Sequence, residues 1–234
     1  HNELYTGKQL GKEKNISVLN YNDIVALSMT GKIDQRIQKK LERQLSTPYI
    51  ENKTGLFSNI FSNKRNLKIG HWNIERGYKV EKIKDIFSGR ILTTAEAKEF
   101  KSCDIISLNE VDIGLPRTKY KNVAKEIADA GNYNYAFATE FIELSPIVFM
   151  LKHNRGRFLG LHGNAILSKY PIKSARVVSL PTCYDWFYEE LGRKSPLETF
   201  RKYGAKNVFR EEIQTSEVRK GNRNALVADI ELPN

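Results

Sequence analysis

Cysteine and histidine are scarce in this sequence, and their scarcity removes several classes of site. The 234 residues hold two cysteines, Cys103 and Cys183, and four histidines, His1, His71, His153 and His162. Neither cysteine sits in a C-x-x-C pair, which excludes the usual structural zinc and dithiol redox motifs. Two cysteines make no disulfide framework. Both are expected as free thiols, with Cys103 a small apolar filler just ahead of an apolar strand. Long apolar runs are missing too: nothing approaches the ~18 residues of a membrane span. Repeats and low-complexity tracts are absent. The chain opens His1-Asn2-Glu3 with neither Met nor an apolar leader, as expected of a trimmed product. Secreted, periplasmic and cytoplasmic locations therefore all stay open.

What remains is ordinary in bulk and basic in balance. Hydrophobic residues make up 40% and charged residues 28% of the chain, and the net charge is +11. That composition supports a real core. The charge attracts polyanions such as nucleic acid, anionic lipid heads or phosphorylated metabolites. It is equally the charge of solvated helix faces, as for Lys39, Lys40 and Arg43.

Residues 1–65 read as an N-terminal helical extension and linker, and 66–234 as a separate domain. Asn20 or Asn22 can cap a short helix through Ile24 and Leu27, stopped at Gly31. Asp34 can cap a second, in which Ile33, Ile37, Leu41 and Leu45 share one face. Ser46-Thr47-Pro48 ends it, and a polar connector runs to Asn66. Strands and helices then alternate. Leu67–Ile74, Asp104–Leu108, Tyr133–Phe141, Asn164–Ser168, Ile172–Leu180 and Arg223–Glu231 read as strands. Helices are expected from Tyr78, over Thr93–Phe100, and over Tyr120–Ala130, where Val123, Ala124, Ile127 and Ala128 point inward and Gly131 caps the end. The alternation argues α/β with mixed sheets. The aromatic run Tyr184–Tyr188 fits either a core plug or a substrate lip, with packing favoured.

Two polar clusters end adjacent expected strands: Trp72-Asn73-Ile74-Glu75-Arg76-Gly77 and Ser107-Leu108-Asn109-Glu110-Val111-Asp112. Such strand ends face the crevice in which α/β sheets bind ligands. A carboxylate with an amide oxygen makes a hard, oxygen-only site suited to Mg²⁺, Mn²⁺ or Ca²⁺ rather than zinc. Read more plainly, Asn73 caps a turn and Glu110 is a solvated loop acid.

Three stretches in order, W-N-I-E-R-G at Asn73, I-S-L-N-E-V-D at Glu110 and G-N-A-I-L-S-K-Y-P at Asn164, resemble successive motifs of the endonuclease/exonuclease/phosphatase family. The resemblance covers about 67–232. It implies part of a four-layer sandwich of two mixed β-sheets flanked by helices, preceded by the helical extension. It also implies a divalent-metal-dependent phosphoester hydrolase in which water attacks phosphorus in line, with Mg²⁺ (or Mn²⁺ or Ca²⁺) as cofactor. Carried over by position, Glu110 is the metal ligand, and Asn73 helps hold metal or orient the phosphate. Asn164 borders the reacting phosphate, with His162 beside it. Arg223 is similar to an arginine near the substrate phosphate; otherwise it is an ordinary strand-edge residue. Arg117 follows Glu110 closely enough to reach the same crevice. The implied partner is a phosphoester, nucleic acid by preference, with anionic lipid, sphingomyelin and inositol phosphates as alternatives.

The sequence departs from the family pattern downstream. The family's later motifs are a strand bearing a catalytic-site His, an Asp-x-Asn pair and a terminal Asp-His. No aspartate here is followed two places on by asparagine, and none by histidine. The expectation is that this half of the site lies on further polypeptide. The alternative is a polyanion-binding module without turnover.

Overall fold

Helix α1 (Tyr21–Leu27) forms because Asn20 and Asp23 close a reciprocal capping box: the Asn20 side chain accepts the Asp23 N–H, and the Asp23 carboxylate accepts the Asn20 N–H. Helix α2 (Gln35–Ser46) starts at Asp34, whose carboxylate accepts the Arg36 N–H, and it buries Ile37 and Leu41 as its four-residue period requires. In this computed structural model the described residues are 15–29, 32–53, 66–144, 156–182, 185–189 and 218–232. The expectations for Gly31, His153, Cys183 and Tyr184 fall outside them.

Strand β1 (Tyr49–Glu51) follows α2 and pairs antiparallel with β4 (Asn134–Glu143), Tyr49 opposite Phe137. Gln44 of α2 donates to Thr139 Oγ1 on the same strand at 3.0 Å. The segment read as an extension therefore adds an edge strand and a packed helix to the main sheet. A three-residue strand carries too little periodicity to be seen in advance.

The main sheet runs β1-β4-β5-β3-β2, and β7 (Arg219–Gly221) also pairs with β4. β2 (Ile69–Arg76) is parallel to β3 (Ile105–Ile113), and β5 (Leu161–Ser168) is antiparallel to both β3 and β4. β6 (Ile172–Ser179) and β8 (Asn224–Ile230) form a two-stranded antiparallel sheet. Helices α3 (Val80–Ser88), α4 (Ala95–Ser102) and α5 (Val123–Gly131) complete the α/β fold. The outcome is a mixed main sheet with flanking helices and a smaller second sheet. That second sheet is purely antiparallel among the described residues.

The core joins α1, α2, α3 and α5 to β3, β4 and β5 in one cluster. All ten residues of β4 are buried, because the strand touches α2, α5, β6 and β8. Its aromatic alternation is thus the pattern of a strand covered on both faces. α5 buries Val123, Ala124, Ile127 and Ala128 as expected, but it ends one residue later, with Asn132 in the left-handed cap position. Asparagine tolerates that conformation, while Gly131 is needed for space: a Cβ there would lie 2.5 Å from the Tyr133 ring. Cys103 is buried as a free thiol. Among the described residues no helix is long and apolar enough to cross a membrane.

Candidate functional site

Strand pairing breaks at one level of the main sheet. β2 and β3 lose register between Asn73 and Arg76, β3 and β5 between Leu108 and Val111, and β4 and β5 between Thr139 and Phe141. The last two breaks meet at Gly163, the partner of both Val111 and Thr139. A Cβ on Gly163 would stand 1.9 Å from the Ala138 carbonyl oxygen, so no side chain fits. Bulges re-aim the residues they leave out of the ladder. Here those residues include Asn109 and Glu110 on β3 and Glu140 on β4.

The backbone at this level is also strained. Glu75 (φ +49), Arg76 (φ +61) and Glu110 (φ +56) all lie in the left-handed region. Each such non-glycine residue costs on the order of 1–3 kcal/mol and persists only where its surroundings over-determine it. Glu75 and Arg76 close β2, while Glu110 lies within β3 and so stands in a strand rather than in a loop.

Asn73 and Glu110 meet directly. Asn73 Nδ2 donates to Glu110 Oε1 at 2.9 Å, and Asn73 Oδ1 accepts the Glu75 N–H at 3.0 Å. A main-chain N–H can only donate, which fixes the amide so that its nitrogen faces Glu110. In this geometry Asn73 orients the carboxylate, and its own oxygen is already engaged. Glu110 Oε2 accepts no hydrogen bond among the described residues.

Asn164 has a different setting. Asn109 Nδ2 donates to Asn164 Oδ1 at 2.8 Å, Asn164 Nδ2 to Asn224 Oδ1 at 3.3 Å, and Asn224 Nδ2 to the Thr139 carbonyl at 2.8 Å. This buried amide chain ties β3 and β5 to β8 of the second sheet. Asn164 is buried and braces these strands against one another.

Arg223 keeps its side chain 52% exposed, with Nη1 3.2 Å from Glu140 Oε2. Its guanidinium lies over the Trp186 ring, 5.4 Å from the centroid. Trp186 and Phe187 are buried and Tyr188 is exposed, so the first two act as packing residues. β5 separates β3 from β4, which puts Glu110 and Glu140 on strands roughly 10 Å apart.

Arg117 and His162 do not open onto the crevice. The Arg117 side chain is 3% exposed; Nε donates to Asp112 Oδ2 at 2.5 Å, and Nη1 and Nη2 donate to the two Glu143 oxygens at 2.9 and 2.7 Å. Burial alone would lower its pKa, but the Glu143 and Asp112 charges more than reverse that, so it is cationic throughout. His162 is buried against Phe141, with Nδ1 2.7 Å from Asp112 Oδ1. Proximity in the sequence, to Glu110 for Arg117 and to Asn164 for His162, suggested a substrate role for both. The carboxylates of Asp112 and Glu143, hidden in apolar strands, claim them first. Glu140, Asn109 and Asn224 were not foreseen; the only signal for Glu140 was a charge interrupting the run Tyr133–Phe141.

Among the described residues no three His, Cys, Asp or Glu side chains gather as a metal cage. Mg²⁺ commonly takes one or two protein carboxylates and completes its shell with water and phosphate, a pattern that a single carboxylate such as Glu110 matches. The oxygen-only donor fits that group, and it fits Ca²⁺ less well, since Ca²⁺ wants six to eight oxygens.

The model of the Endonuclease/Exonuclease/phosphatase family matches residues 70–204, a stretch containing Asn73, Glu110, Arg117, His162 and Asn164. The chain belongs to this family. Endonuclease/exonuclease/phosphatase proteins are phosphoester hydrolases that generally use divalent metals. Arg223 lies beyond the matched stretch. A solved endonuclease/exonuclease/phosphatase from Beutenbergia cavernae is similar at 16% identity and a TM-score of 0.39, over 73% of this chain and 36% of that one. The chain thus spans little more than a third of that protein's length. No curated protein matches.

Proposed function

We propose that this chain carries the metal-holding side of a divalent-metal-dependent phosphoester hydrolase acting by in-line attack of water on phosphorus. The observation that carries the reading is the Asn73–Glu110 pair, presented by strained backbone on two parallel strands. Glu110 offers one carboxylate oxygen to Mg²⁺ or Mn²⁺ while Asn73 holds the other. A divalent ion there polarises a phosphoryl oxygen and screens its charge. Arg223 keeps donors exposed to contact a phosphate oxygen and stabilise developing charge. Asn164 keeps the floor of the crevice rigid through Asn109 and Asn224.

Nucleic acid is the favoured substrate on the net charge of +11, with sphingomyelin and inositol phosphates as alternatives. The groups that activate water would come from further polypeptide. They would need an edge to dock on, and among the described residues β2 pairs only with β3, and β6 and β8 only with each other. Ile69 on the free edge strand is 70% exposed, a liability that a neighbouring strand would remove. The rival reading, a polyanion-binding module without turnover, draws on the absence of any histidine or aspartate bonded to Glu110 among the described residues.

The test is plasmid nicking alongside sphingomyelin and inositol-phosphate hydrolysis by the full protein, with and without EDTA. Glu110→Gln should abolish metal-dependent turnover on one of the three substrates while the protein stays folded. Turnover that survives EDTA would overturn the metal mechanism. Binding of DNA without turnover on any substrate would favour the module.

A further inference from the structure

The Asn73–Glu110 hydrogen bond crosses a gap in the sheet. Between the Asn73–Asn109 and Arg76–Val111 pairs, β2 and β3 have no ladder register. Glu75 and Glu110 in that gap, and Arg76 at its edge, are left-handed. The ladder closes on both sides of the gap, at Asn73–Asn109 and at Arg76–Val111, but not within it, and there the Asn73 and Glu110 side chains stand 2.9 Å apart.

Immediately past the gap, each strand contributes one charged side chain to the same buried cluster. On β2, Arg76 Nη1 lies 4.0 Å from Glu143 Oε2. On β3, Asp112 Oδ2 lies 2.5 Å from Arg117 Nε. The Arg117 fork spans both, with Nε on Asp112 and its two Nη atoms on Glu143. Glu143 is itself fixed, since its N–H donates to the Gly160 carbonyl at 2.8 Å. The side chains of Arg117, Asp112 and Glu143 are all 3% exposed or less. Two arginines face two carboxylates, and His162 Nδ1 joins the cluster 2.7 Å from Asp112 Oδ1. A planar guanidinium can bridge two carboxylates at fixed angles, and an ammonium cannot.

We propose that Arg117 is a positioning residue: by joining Asp112 to Glu143 it holds the ends of β2 and β3 so that Asn73 and Glu110 meet. This rests on Glu110 being the metal-holding residue only for its consequence, not for its geometry. Outer partners of a metal ligand typically change metal affinity 10- to 100-fold when removed. A substrate-binding role for Arg117 would leave metal affinity untouched.

The experiment titrates the full chain with Mn²⁺, following the free ion by electron paramagnetic resonance. In parallel it records the Asn73 side-chain amide resonances of the metal-free protein. Arg117→Lys should weaken Mn²⁺ binding about 10-fold and shift the Asn73 resonances. Ile127→Val, a packing change on α5, should move neither even where it lowers the melting temperature. Wild-type Mn²⁺ affinity with unmoved Asn73 resonances in Arg117→Lys would overturn the proposal. If the wild-type chain binds no Mn²⁺, the metal reading fails, while the Asn73 resonances still decide the positioning role. If Arg117→Lys does not fold, Glu143→Gln, equal in shape, replaces it, and the same two readouts support or overturn the proposal in the same way.

Discussion

Asp23 shows how a single side chain is fixed by two donors. Its Oδ2 accepts the Asn20 N–H at 3.0 Å and Lys40 Nζ at 2.7 Å, which couples the cap of α1 to the middle of α2. Burial by itself would raise its pKa, but the Asn20 N–H and Lys40 more than offset this, leaving it below the ordinary 3.8. A depressed folded pKa means stability that is present above the unfolded pKa and lost as pH falls through the folded one. Asp23→Ala is therefore expected to cost about 1 kcal/mol at neutral pH. That difference should shrink below roughly pH 4, where the wild-type carboxylate begins to protonate. Urea unfolding of both proteins at pH 7 and pH 3 checks it; a constant difference would remove the linkage. The same residue-level logic separates Glu110 from Arg117. Glu110 stood out in the sequence because it falls in a stretch that resembles a family motif. The setting of Arg117 was not legible, because it depends on Glu143, hidden in an apolar strand.

Among the elements, local pattern carried those with a sustained period and missed those defined by a neighbour. α5 buries the four residues its spacing named, α2 buries Ile37 and Leu41 of its four while Ile33 and Leu45 are half-buried, and Asn20 and Asp34 cap where expected. β1 and β7 have three residues each and exist only because β4 accepts them. The bulges were equally hidden, since a register shift belongs to a pair of strands and not to either sequence. Gly163 is where this can be tested. It is opposite Val111 on one side and Thr139 on the other, and the Ala138 carbonyl occupies the place of a Cβ. Gly163→Ala must push β4 away from β5 in the middle of the sheet. The expected loss is about 3 kcal/mol or more, at the upper end of overpacking effects. Loss of the Asn109–Asn164 contact should accompany it. Denaturant unfolding measures the first and side-chain amide resonances the second. A variant as stable as wild type would mean that the bulges adapt freely, and the rigid floor of the crevice would lose its basis.

At the scale of the whole molecule, charge and site make separable contributions to binding. A net charge of +11 draws any polyanion, without reading its sequence or delivering it to Glu110. Most of that attraction should appear as counterion release, with log K falling about 0.9 per neutralised phosphate for each unit of log salt on duplex DNA. Arg223 differs from a generic surface cation: Glu140 and Trp186 hold its guanidinium while half of it stays open. If it contacts one phosphate, Arg223→Ala should reduce the magnitude of the salt slope by about one, as should removal of any other phosphate-contacting cation. Coupling to the metal separates Arg223 from those other cations. If Arg223 and Glu110 serve one ligand, a phosphate held by Arg223 would bring a neighbouring group of that ligand to Glu110. Mn²⁺ should therefore strengthen DNA binding by the wild-type chain more than binding by Arg223→Ala. Fluorescence anisotropy of a labelled duplex across a salt series, with and without Mn²⁺, measures both quantities. Equal Mn²⁺ enhancement in the two proteins would place Arg223 outside the site and leave the basic surface as a general attractor. A lost enhancement would join Arg223 to Glu110 as parts of one crevice.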